Sequence, residues 1–339
     1  MNMSSYIRAL PKAELHLHIE GSLTPELMWK LAEKHGLSLP YTSVDDIREA
    51  YNFDSLQSFL DLYYQGADVL REQSDFYALM WAYLQQCRHE NIVHAEIMFD
   101  PQTHTERGIG FDVFMPGFLS AIEQARQEWG MSVKLIMCFL RHLDEAQAID
   151  TLKNAEPWYN DICAVGLDSG EVGNPPSKFA RVFDMAREKG FRLVAHAGEE
   201  GPASYIREAI DILGIERIDH GVRCEEDASL KQAIVASQIP LTVCPLSNLK
   251  LCVVDDLSEH NILALLDEGL LVTVNSDDPT YFGGFLSENF DALVSHLGMT
   301  QAQCRTLIEN SFTGSFLSQA EKAHWLATID AIHSRHQSE

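Results

Sequence analysis

Short apolar runs rich in β-branched residues alternate along the chain with polar breaks and helical patterns. Runs of this length, bounded by turn residues, are typical of buried strands. The pattern predicts eight strands, at Ala13–His18, Ile92–Phe99, Val133–Leu140, Cys163–Leu167, Arg192–His196, Arg217–His220, Pro240–Cys244 and Leu271–Asn275.

Between these runs, apolar residues recur at the spacing of an amphipathic helix. Gly190, Gly214 and Gly269 directly follow three of the helical segments, as glycine does at helix C-termini. The pattern predicts connecting helices at Phe111–Trp129, Ser177–Lys189, Ala203–Leu213, Ala228–Ala236 and Asn261–Glu268.

Strand–helix alternation forces neighbouring strands to be parallel, because a parallel pair needs a crossover connection. We therefore expect an α/β fold, a (β/α)8 TIM barrel that occupies residues 1–339 as a single domain. A helical insertion at about 24–89 follows the first strand and could cap the mouth, and helices form the C-terminal tail, 300–337. An open doubly wound sheet is the alternative, but no GxGxxG follows the first strand.

Within the insertion, the helical patterns lie near Pro25–His35, Leu56–Leu70 and Asp75–His89.

The amino-acid composition limits the classes of molecule that the protein is expected to bind. The 339 residues include 25 Lys and Arg against 50 Asp and Glu, a formal net charge of −25. Such a surface repels phosphate backbones and anionic lipids, so we expect neither nucleic acid nor membrane as a partner. The chain shows no signal-peptide pattern, and its seven cysteines form no CxxC pair, which favours a reducing cytoplasm. A homo-oligomer is compatible with the sequence.

Candidate chemistry lies at the strand ends, because TIM-barrel enzymes build their sites at the C-terminal ends of strands. His16 and His18 end the first strand and, two residues apart, point to the same side. His196 ends the fifth strand, and Asp277 follows the eighth. Three imidazoles and a carboxylate suit zinc, with iron, cobalt or nickel as competitors.

Three further residues near these ends have open roles. Glu199, three residues after His196, could shuttle a proton. His220 could orient or deprotonate a metal-bound water rather than ligate the metal. Asp277 and Asp278 are adjacent, so their side chains diverge: one can ligate and the other can face a substrate.

The chain resembles the adenosine/adenine deaminase family of amidohydrolase barrels. The resemblance covers nearly the whole sequence. It rests on PKAELHLHIEGS at 11–22, HAGEEGPASYI at 196–206, RIDHGV at 217–222, PLTVCPLSNLKLCVV at 240–254 and VTVNSDDPTYFGG at 272–284.

The resemblance implies a role for each candidate residue. His16, His18, His196 and Asp277 correspond to the ligands of one zinc ion per chain. Glu199 corresponds to the acid that protonates purine N1. His220 corresponds to the group that orients the attacking water, Asp278 to the partner of N7, and Gly170 to a backbone donor near N3. Hydroxide generated at the zinc then attacks C6, and ammonia leaves.

Two positions bear on the substrate. Nucleoside deaminases of this family carry Asp where this chain has Glu20, and the longer side chain fits a pocket for a free base. The resemblance therefore implies that adenine is deaminated to hypoxanthine, as in purine salvage. The adenine deaminase branch often has two serines where this chain has Ser169-Gly170, so N6-substituted adenines are an alternative, as is adenosine.

The sequence gives less support to two other classes of function. A barrel hydrolase acting on amides or phosphoesters through two metals usually has a bridging lysine after the fourth strand, where this chain reads LDSGE. A catalytically inactive binding protein is disfavoured, because every expected catalytic position is filled.

The remaining histidines are expected to be structural. His94 would line the barrel, and His104 and His142 are expected in loops at the end of the barrel where they could support the site. Surface or helix positions are expected for His35, His89, His296, His324, His333 and His336.

Overall fold

The computed structural model describes residues 3–51, 53 and 56–338, so the extreme ends of the predicted 1–339 domain lie outside the described residues. Eight parallel strands lie side by side in the order of the chain. They are β1 (Lys12–His18), β2 (Ile92–Phe99), β3 (Ser132–Leu140), β4 (Ile162–Asp168), β5 (Arg192–Ala197), β6 (Arg217–His220), β7 (Leu241–Val243) and β8 (Val272–Val274).

Helices surround this sheet on the outside. They are α1 (Met3–Ala9), α2 (Pro25–His35), α3 (Val44–Ala50), α4 (Leu56–Ala67), α5 (Gln73–His89), α6 (Pro101–Thr105), α7 (Phe111–Trp129), α8 (Glu145–Asn154), α9 (Ala180–Glu188), α10 (Ala203–Glu208), α11 (Ala228–Ser237), α12 (Pro245–Lys250), α13 (Ile262–Asp267), α14 (Pro279–Phe282), α15 (Leu286–Leu297), α16 (Gln301–Thr313) and α17 (Gln319–Ser338). The predicted (β/α)8 barrel is confirmed.

The last and first strands meet through a short and partly side-chain-mediated contact. Leu17 and Asp277 form an isolated parallel bridge. The Asn275 side-chain oxygen accepts a hydrogen bond from the Leu15 amide at 3.0 Å. Because a side chain replaces part of the backbone ladder, β8 ends at Val274, one residue before the predicted boundary.

Helices that local pattern did not predict include α3, α8 and α15. Helix α3 has 7 residues and α8 has 10, half of them exposed, whereas α15 has 12. The predicted start of α9 at Ser177 is shifted, because Pro176–Phe179 forms a 3-10 turn before the helix begins at Ala180.

The barrel interior is apolar at mid-height. Its cluster consists of Met98, Ile136, Cys138, Ala164 and Val194, with Phe316 packed against it from the C-terminal segment. A packed interior leaves chemistry to the strand ends. Among the described residues, no helix is both long and apolar enough to cross a lipid bilayer.

Candidate active site

Four polar side chains converge at the C-terminal ends of three strands. His16 and His18 come from β1, His196 from β5 and Asp277 from the segment after β8. All four are buried, and each offers one ligand atom within 4.8 Å of the others. The strands thus bring together the four residues that the sequence singled out as metal ligands.

Short distances between the possible ligand atoms mark this cluster. His18 Nε2 lies 3.2 Å from His196 Nε2. Asp277 Oδ1 lies 3.3 Å from His16 Nε2 and 3.4 Å from His18 Nε2. His16 Nε2 is buried and has no hydrogen-bond partner. Imidazole nitrogens and a carboxylate oxygen that face one point in this way are a donor set for a divalent transition metal.

The outer nitrogens of His16 and His18 face a second set of residues. His16 Nδ1 lies 3.0 Å from Thr242 Oγ1, and that hydroxyl donates to Asp219 Oδ1 at 2.9 Å. His18 Nδ1 lies 3.4 Å from Asp168 Oδ2. Such partners orient the rings and leave the Nε2 atoms to face inward.

Asp277 is held in an unusual backbone conformation. Its φ is 62°, in the left-handed region. Its carbonyl accepts from the His18 amide at 2.9 Å, and its own amide donates to the His16 carbonyl at 3.1 Å. Ser247 Oγ donates to Asp277 Oδ2 at 2.7 Å, which leaves Oδ1 facing the histidines. Strained residues of this kind cluster at functional sites.

Glu199 lies in the loop after β5 and is buried, with its Oε1 atom lacking a hydrogen-bond partner. Oε1 is 3.5 Å from His220 Nε2. Burial, together with the nearby charge of Asp277, raises the pKa of the Glu199 carboxyl well above its usual range. A carboxyl that stays protonated at neutral pH can donate a proton to a bound molecule.

His220 is reached by a directed chain of hydrogen bonds. The Ile262 amide donates to His260 Nδ1 at 3.1 Å, so His260 carries its proton on Nε2. His260 Nε2 then donates to Asn248 Oδ1 at 3.1 Å, and Asn248 Nδ2 donates to His220 Nδ1 at 3.4 Å. The one backbone donor therefore assigns the His220 proton to Nε2, the atom that faces Glu199.

We call His260 and Asn248 the relay. Burial lowers the pKa of His220 to about 3 and that of His260 to about 4. Both rings are therefore neutral at pH 7, as the relay requires. Sequence reasoning missed both residues, although Asn248 follows β7 in the PLSN motif, at the end of the barrel where functional residues are expected.

Asp278 packs directly on the backbone of Gly21. A Cβ at position 21 would lie 1.9 Å from Asp278 Oδ1, so only glycine fits there. Oδ1 is buried without a partner. Burial and the adjacent charge of Asp277 raise the pKa of Asp278 well above its usual range, so this carboxyl can donate a hydrogen bond.

Glu20 lies behind the cavity wall. Its Oε1 accepts from His104 Nε2 at 2.7 Å and from the Asp100 amide at 3.2 Å, and its Oε2 accepts from Tyr63 Oη at 3.3 Å. Tyr63 and Asp100 are among the described residues that line the cavity, whereas Glu20 is not. The side chain expected to touch substrate therefore supports two residues that do face the cavity.

Gly170 is likewise outside the described lining, where its neighbour Ser169 is present. Ser169 has φ 72°, and its hydroxyl lies 2.7 Å from His142 Nδ1 and 3.3 Å from Tyr64 Oη. The Gly170 carbonyl accepts from Asn174 Nδ2 at 2.9 Å. A Cβ at Gly170 would meet no atom within 4 Å, so the missing serine leaves open space there.

The cavity itself combines flat apolar walls with carboxyl groups. Helix α4, in the insertion after β1, contributes much of the wall, and α14 adds Phe282. The described lining residues are His18, Phe59, Leu60, Tyr63, Tyr64, Asp100, Leu140, Asp168, Ser169, His196, Glu199, His220, Leu251, Asp277, Asp278 and Phe282. Such a site suits a flat heteroaromatic ring with several hydrogen-bonding edges.

Three histidines outside the cluster have definite partners. His94 is buried, and its Nε2 lies 3.0 Å from Glu96 Oε1. His104 lies in α6 rather than in a loop, and it is buried against Glu20. His35, expected at the surface, is 2.7 Å from a carboxylate oxygen of Asp75.

Comparison with known proteins gives consistent matches over the whole chain. A family model described as adenosine deaminase matches residues 11–332. A protein named adenine deaminase from Acinetobacter baylyi is 56% identical over 332 residues, covering 98% of this chain and 100% of the relative.

Two solved structures are similar. An adenine deaminase from Arthrobacter aurescens is 49% identical, with a TM-score of 0.93 over 95% of this chain and 98% of that one. An amidohydrolase from Burkholderia ambifaria, solved with bound Zn, has a TM-score of 0.90 over 100% of this chain and 96% of that one. At 24% identity, this second likeness shows a shared fold.

Proposed function

The chain belongs to the adenosine deaminase family, and from this premise we propose that it hydrolyses adenine to hypoxanthine and ammonia. The observation that carries the proposal is Glu199, a buried acid whose pKa is raised, beside His220 and the cluster of three histidines and Asp277. Hydrolytic deamination of a purine needs both a proton for the ring and an activated water.

His16, His18, His196 and Asp277 would hold one zinc ion. The three imidazoles and the carboxylate fit zinc, and the unpartnered His16 Nε2 supports a bound cation. Iron or another divalent transition metal would fit the same donors. When bound, the metal lowers the pKa of a water molecule and so supplies hydroxide near neutral pH.

Glu199 protonates purine N1, which draws electrons from C6 and makes that carbon more electrophilic. His220 donates from Nε2 to the attacking oxygen and holds it against C6, with the relay keeping its proton on that atom. A C–O bond forms at C6, and the proton that the attacking water gives up restores the Glu199 carboxyl. The proton of the new C6 hydroxyl then passes to the amino nitrogen, the C6–N bond breaks as the C6 carbonyl forms, and the nitrogen leaves as ammonia.

Asp278 orients the ring. N7 of adenine is a hydrogen-bond acceptor, and a carboxyl that keeps its proton can donate to it. The Ser169-Gly170 segment lies along the N3 edge. Glu20 acts through Tyr63 and Asp100, which it holds at the cavity wall, and we infer that this arrangement favours a free base over a nucleoside.

We also propose that residues 1–339 work as one domain in the cytoplasm, with a purine base as the partner and neither nucleic acid nor membrane. The acidic composition supports this part of the proposal, since a net charge of −25 disfavours both polyanionic partners.

A purine panel tests the proposal. Purified enzyme of measured metal content is given adenine, adenosine and N6-alkyladenines, and ammonia release is followed. We expect the highest kcat/KM with adenine and one zinc per chain. A higher kcat/KM with adenosine would overturn the base specificity, one with an N6-alkyladenine would reassign the substrate, and two metals per chain would favour a binuclear mechanism.

A further inference from the structure

The loop that carries Glu199 is held by a carboxylate that no step of the proposed reaction uses. Glu171 lies in the loop after β4 and is 1% exposed. Its Oε1 accepts from the Gly198 amide at 2.7 Å. Its Oε2 accepts from the amides of Glu199 at 3.0 Å, Glu200 at 2.9 Å and Gly201 at 2.8 Å.

Four consecutive amides rarely point to one side of a loop without an acceptor to hold them. A buried carboxylate is costly unless it is hydrogen-bonded, and bonds to an ionised acceptor are stronger than neutral ones. The Glu171 carboxylate and the 198–201 loop therefore stabilise each other. The Cα of Glu199 lies inside this segment, so its position depends on Glu171.

Glu171 is itself anchored to the end of β5. The Arg141 guanidinium donates from Nη1 to the His196 carbonyl at 2.7 Å and from Nε to the Asn174 carbonyl at 2.9 Å. The Asn174 amide donates to the Glu171 carbonyl at 3.0 Å. The two loops after β4 and β5 thus form one hydrogen-bonded unit around the Glu171 side chain.

We propose that Glu171 is a positioning residue for the deaminase reaction, whose carboxylate holds the 198–201 loop so that the Glu199 side chain meets purine N1. The proposal rests on the proposed function, because it gives Glu199 the role of proton donor. Glu171 acts on kcat through Glu199 and leaves the metal ligands and the binding of the ring largely unchanged.

Glu171→Gln is the first test. The amide oxygen can still face the three amides at the Oε2 position, but the NH₂ group opposes the Gly198 amide and the charge is lost. We expect kcat for adenine to fall ~10-fold, as for other supporting residues of a site, with KM within about threefold and metal content unchanged. Glu200→Gln is the matched control, the same change of side chain made in the loop that Glu171 holds, and should stay within about twofold.

A double-mutant cycle separates positioning from general damage. If Glu171 acts through Glu199, the Glu171→Gln change should have little further effect in a Glu199→Gln enzyme, since residues that act as a unit are not additive. Full additivity would overturn the proposal, as would loss of metal from the single variant or an unchanged kcat. The Glu199→Gln variant alone tests the proposed function itself. If its kcat equals that of the wild type, Glu199 is not the proton donor.

Gly201→Ala perturbs the same contact from the other side and serves if Glu171→Gln does not fold. A Cβ at Gly201 would lie 2.5 Å from Glu171 Oε1 and 2.7 Å from Tyr205 Cδ2, so the carboxylate must shift while its charge remains. We expect a fall in kcat, again ~10-fold, with KM nearly constant. Wild-type kcat in this variant would contradict the proposal.

Discussion

The barrel buries charged side chains at both ends, but at one end they pair mainly with one another, with only Arg217 Nε lacking a hydrogen bond among the described atoms of that group. At the N-terminal end, a group we call the base cluster comprises His94, Glu96, Arg217 and Phe316. Glu96 accepts from His94 Nε2 at 3.0 Å and pairs with the Arg217 guanidinium, which lies 4.7 Å from the centre of the Phe316 ring. Arg217 also donates to the Leu15 carbonyl at 2.9 Å.

At the mouth, by contrast, buried polar atoms face one another without partners. His16 Nε2, Glu199 Oε1, His220 Nε2 and Asp278 Oδ1 are all buried and lack hydrogen bonds among the described residues. Unsatisfied buried groups cost stability, and native proteins keep them where a ligand or metal will satisfy them. The base cluster therefore stabilises the fold, whereas the polar groups at the mouth are placed to bind a metal or a ligand.

The largest expected effect is a loss of stability when Arg217, the charge partner of Glu96 in the base cluster, is replaced. Arg217→Met leaves the buried Glu96 carboxylate unpaired, and we expect a loss of about 3–5 kcal/mol in the free energy of unfolding. Urea unfolding measures it. The kcat of the folded enzyme should change little, because Arg217 lies away from the cavity lining.

Arg192→Met is its matched control. Arg192 also lies near the Phe316 ring, at 5.6 Å, but it is half exposed and its ion pair with Glu216 is at the surface. Its replacement should cost less than about 1 kcal/mol. Equal losses in the two variants would remove the distinction between a buried base cluster and an ordinary surface pair.

Acid should weaken the base cluster in a defined pH window. Burial alone would raise the pKa of Glu96, but the Arg217 charge and the His94 hydrogen bond outweigh it and lower the pKa to about 2. A depressed pKa stabilises the fold above the ordinary value of 4.5, and this stabilisation is lost as the pH falls from about 4.5 to 2. We expect about 3 kcal/mol from this group.

The comparison of wild type with Glu96→Gln, by urea midpoints at each pH, isolates that contribution from the other carboxyls. The wild type should be the more stable at neutral pH, and the difference should shrink through the same window. A difference independent of pH would show that the Glu96 charge contributes nothing.

Metal removal tests the mouth. If the cluster of His16, His18, His196 and Asp277 binds a metal only in the folded state, a free metal concentration of 100 times Kd stabilises the protein by about 2.7 kcal/mol. The apo protein should therefore melt at a lower temperature, by calorimetry, and regain stability when zinc is added back. The same melting curve after verified metal removal would contradict the proposed site.

The smallest expected effect is the fall in kcat when Asn248, one of the two relay residues, is replaced. Asn248→Asp places an acceptor opposite His220 Nδ1, which draws the proton to that atom and removes it from Nε2. We expect kcat to fall ~10-fold, or about 1.4 kcal/mol in the barrier. Asn310→Asp is the control: the Asn310 side-chain amide also donates a hydrogen bond, in this case to the Val272 carbonyl at 2.9 Å, but Asn310 is not among the residues that line the cavity. Equal kcat in both variants would argue against the relay.

Most of the barrel fold, and the convergence of the proposed metal ligands, could be predicted from the sequence. Strand–helix alternation is a local pattern, so β1 to β8 were found within a few residues of their ends. The convergence of His16, His18, His196 and Asp277 followed from the rule that parallel strands end at one edge. The helices α3 and α8 were missed, because segments of 7 and 10 residues carry little periodicity to distinguish them from loops, whereas α15, with 12 residues, was missed despite an adequate length.

The residues that hold the site residues in place were harder to predict from the sequence. Glu171 and His260 lie in loops, and Asn248 lies in the six-residue helix α12, so no periodicity indicates which way these side chains point. Glu20 was identified, but its partners His104 and Tyr63 lie 84 and 43 residues away in the chain, so its place behind the wall could not be inferred.

The sequence by itself determined the barrel, the family and the residues at the strand ends, because these depend on local pattern and on motifs that stay together in the chain. The tertiary structure decided which side chains and loops meet: Glu171 with the 198–201 loop, His260 with Asn248 and His220, and Phe316 with the charged residues of the base cluster. The physical reason is that such contacts arise only when the closed barrel brings distant loops to one end, where buried polar groups must find partners or a ligand.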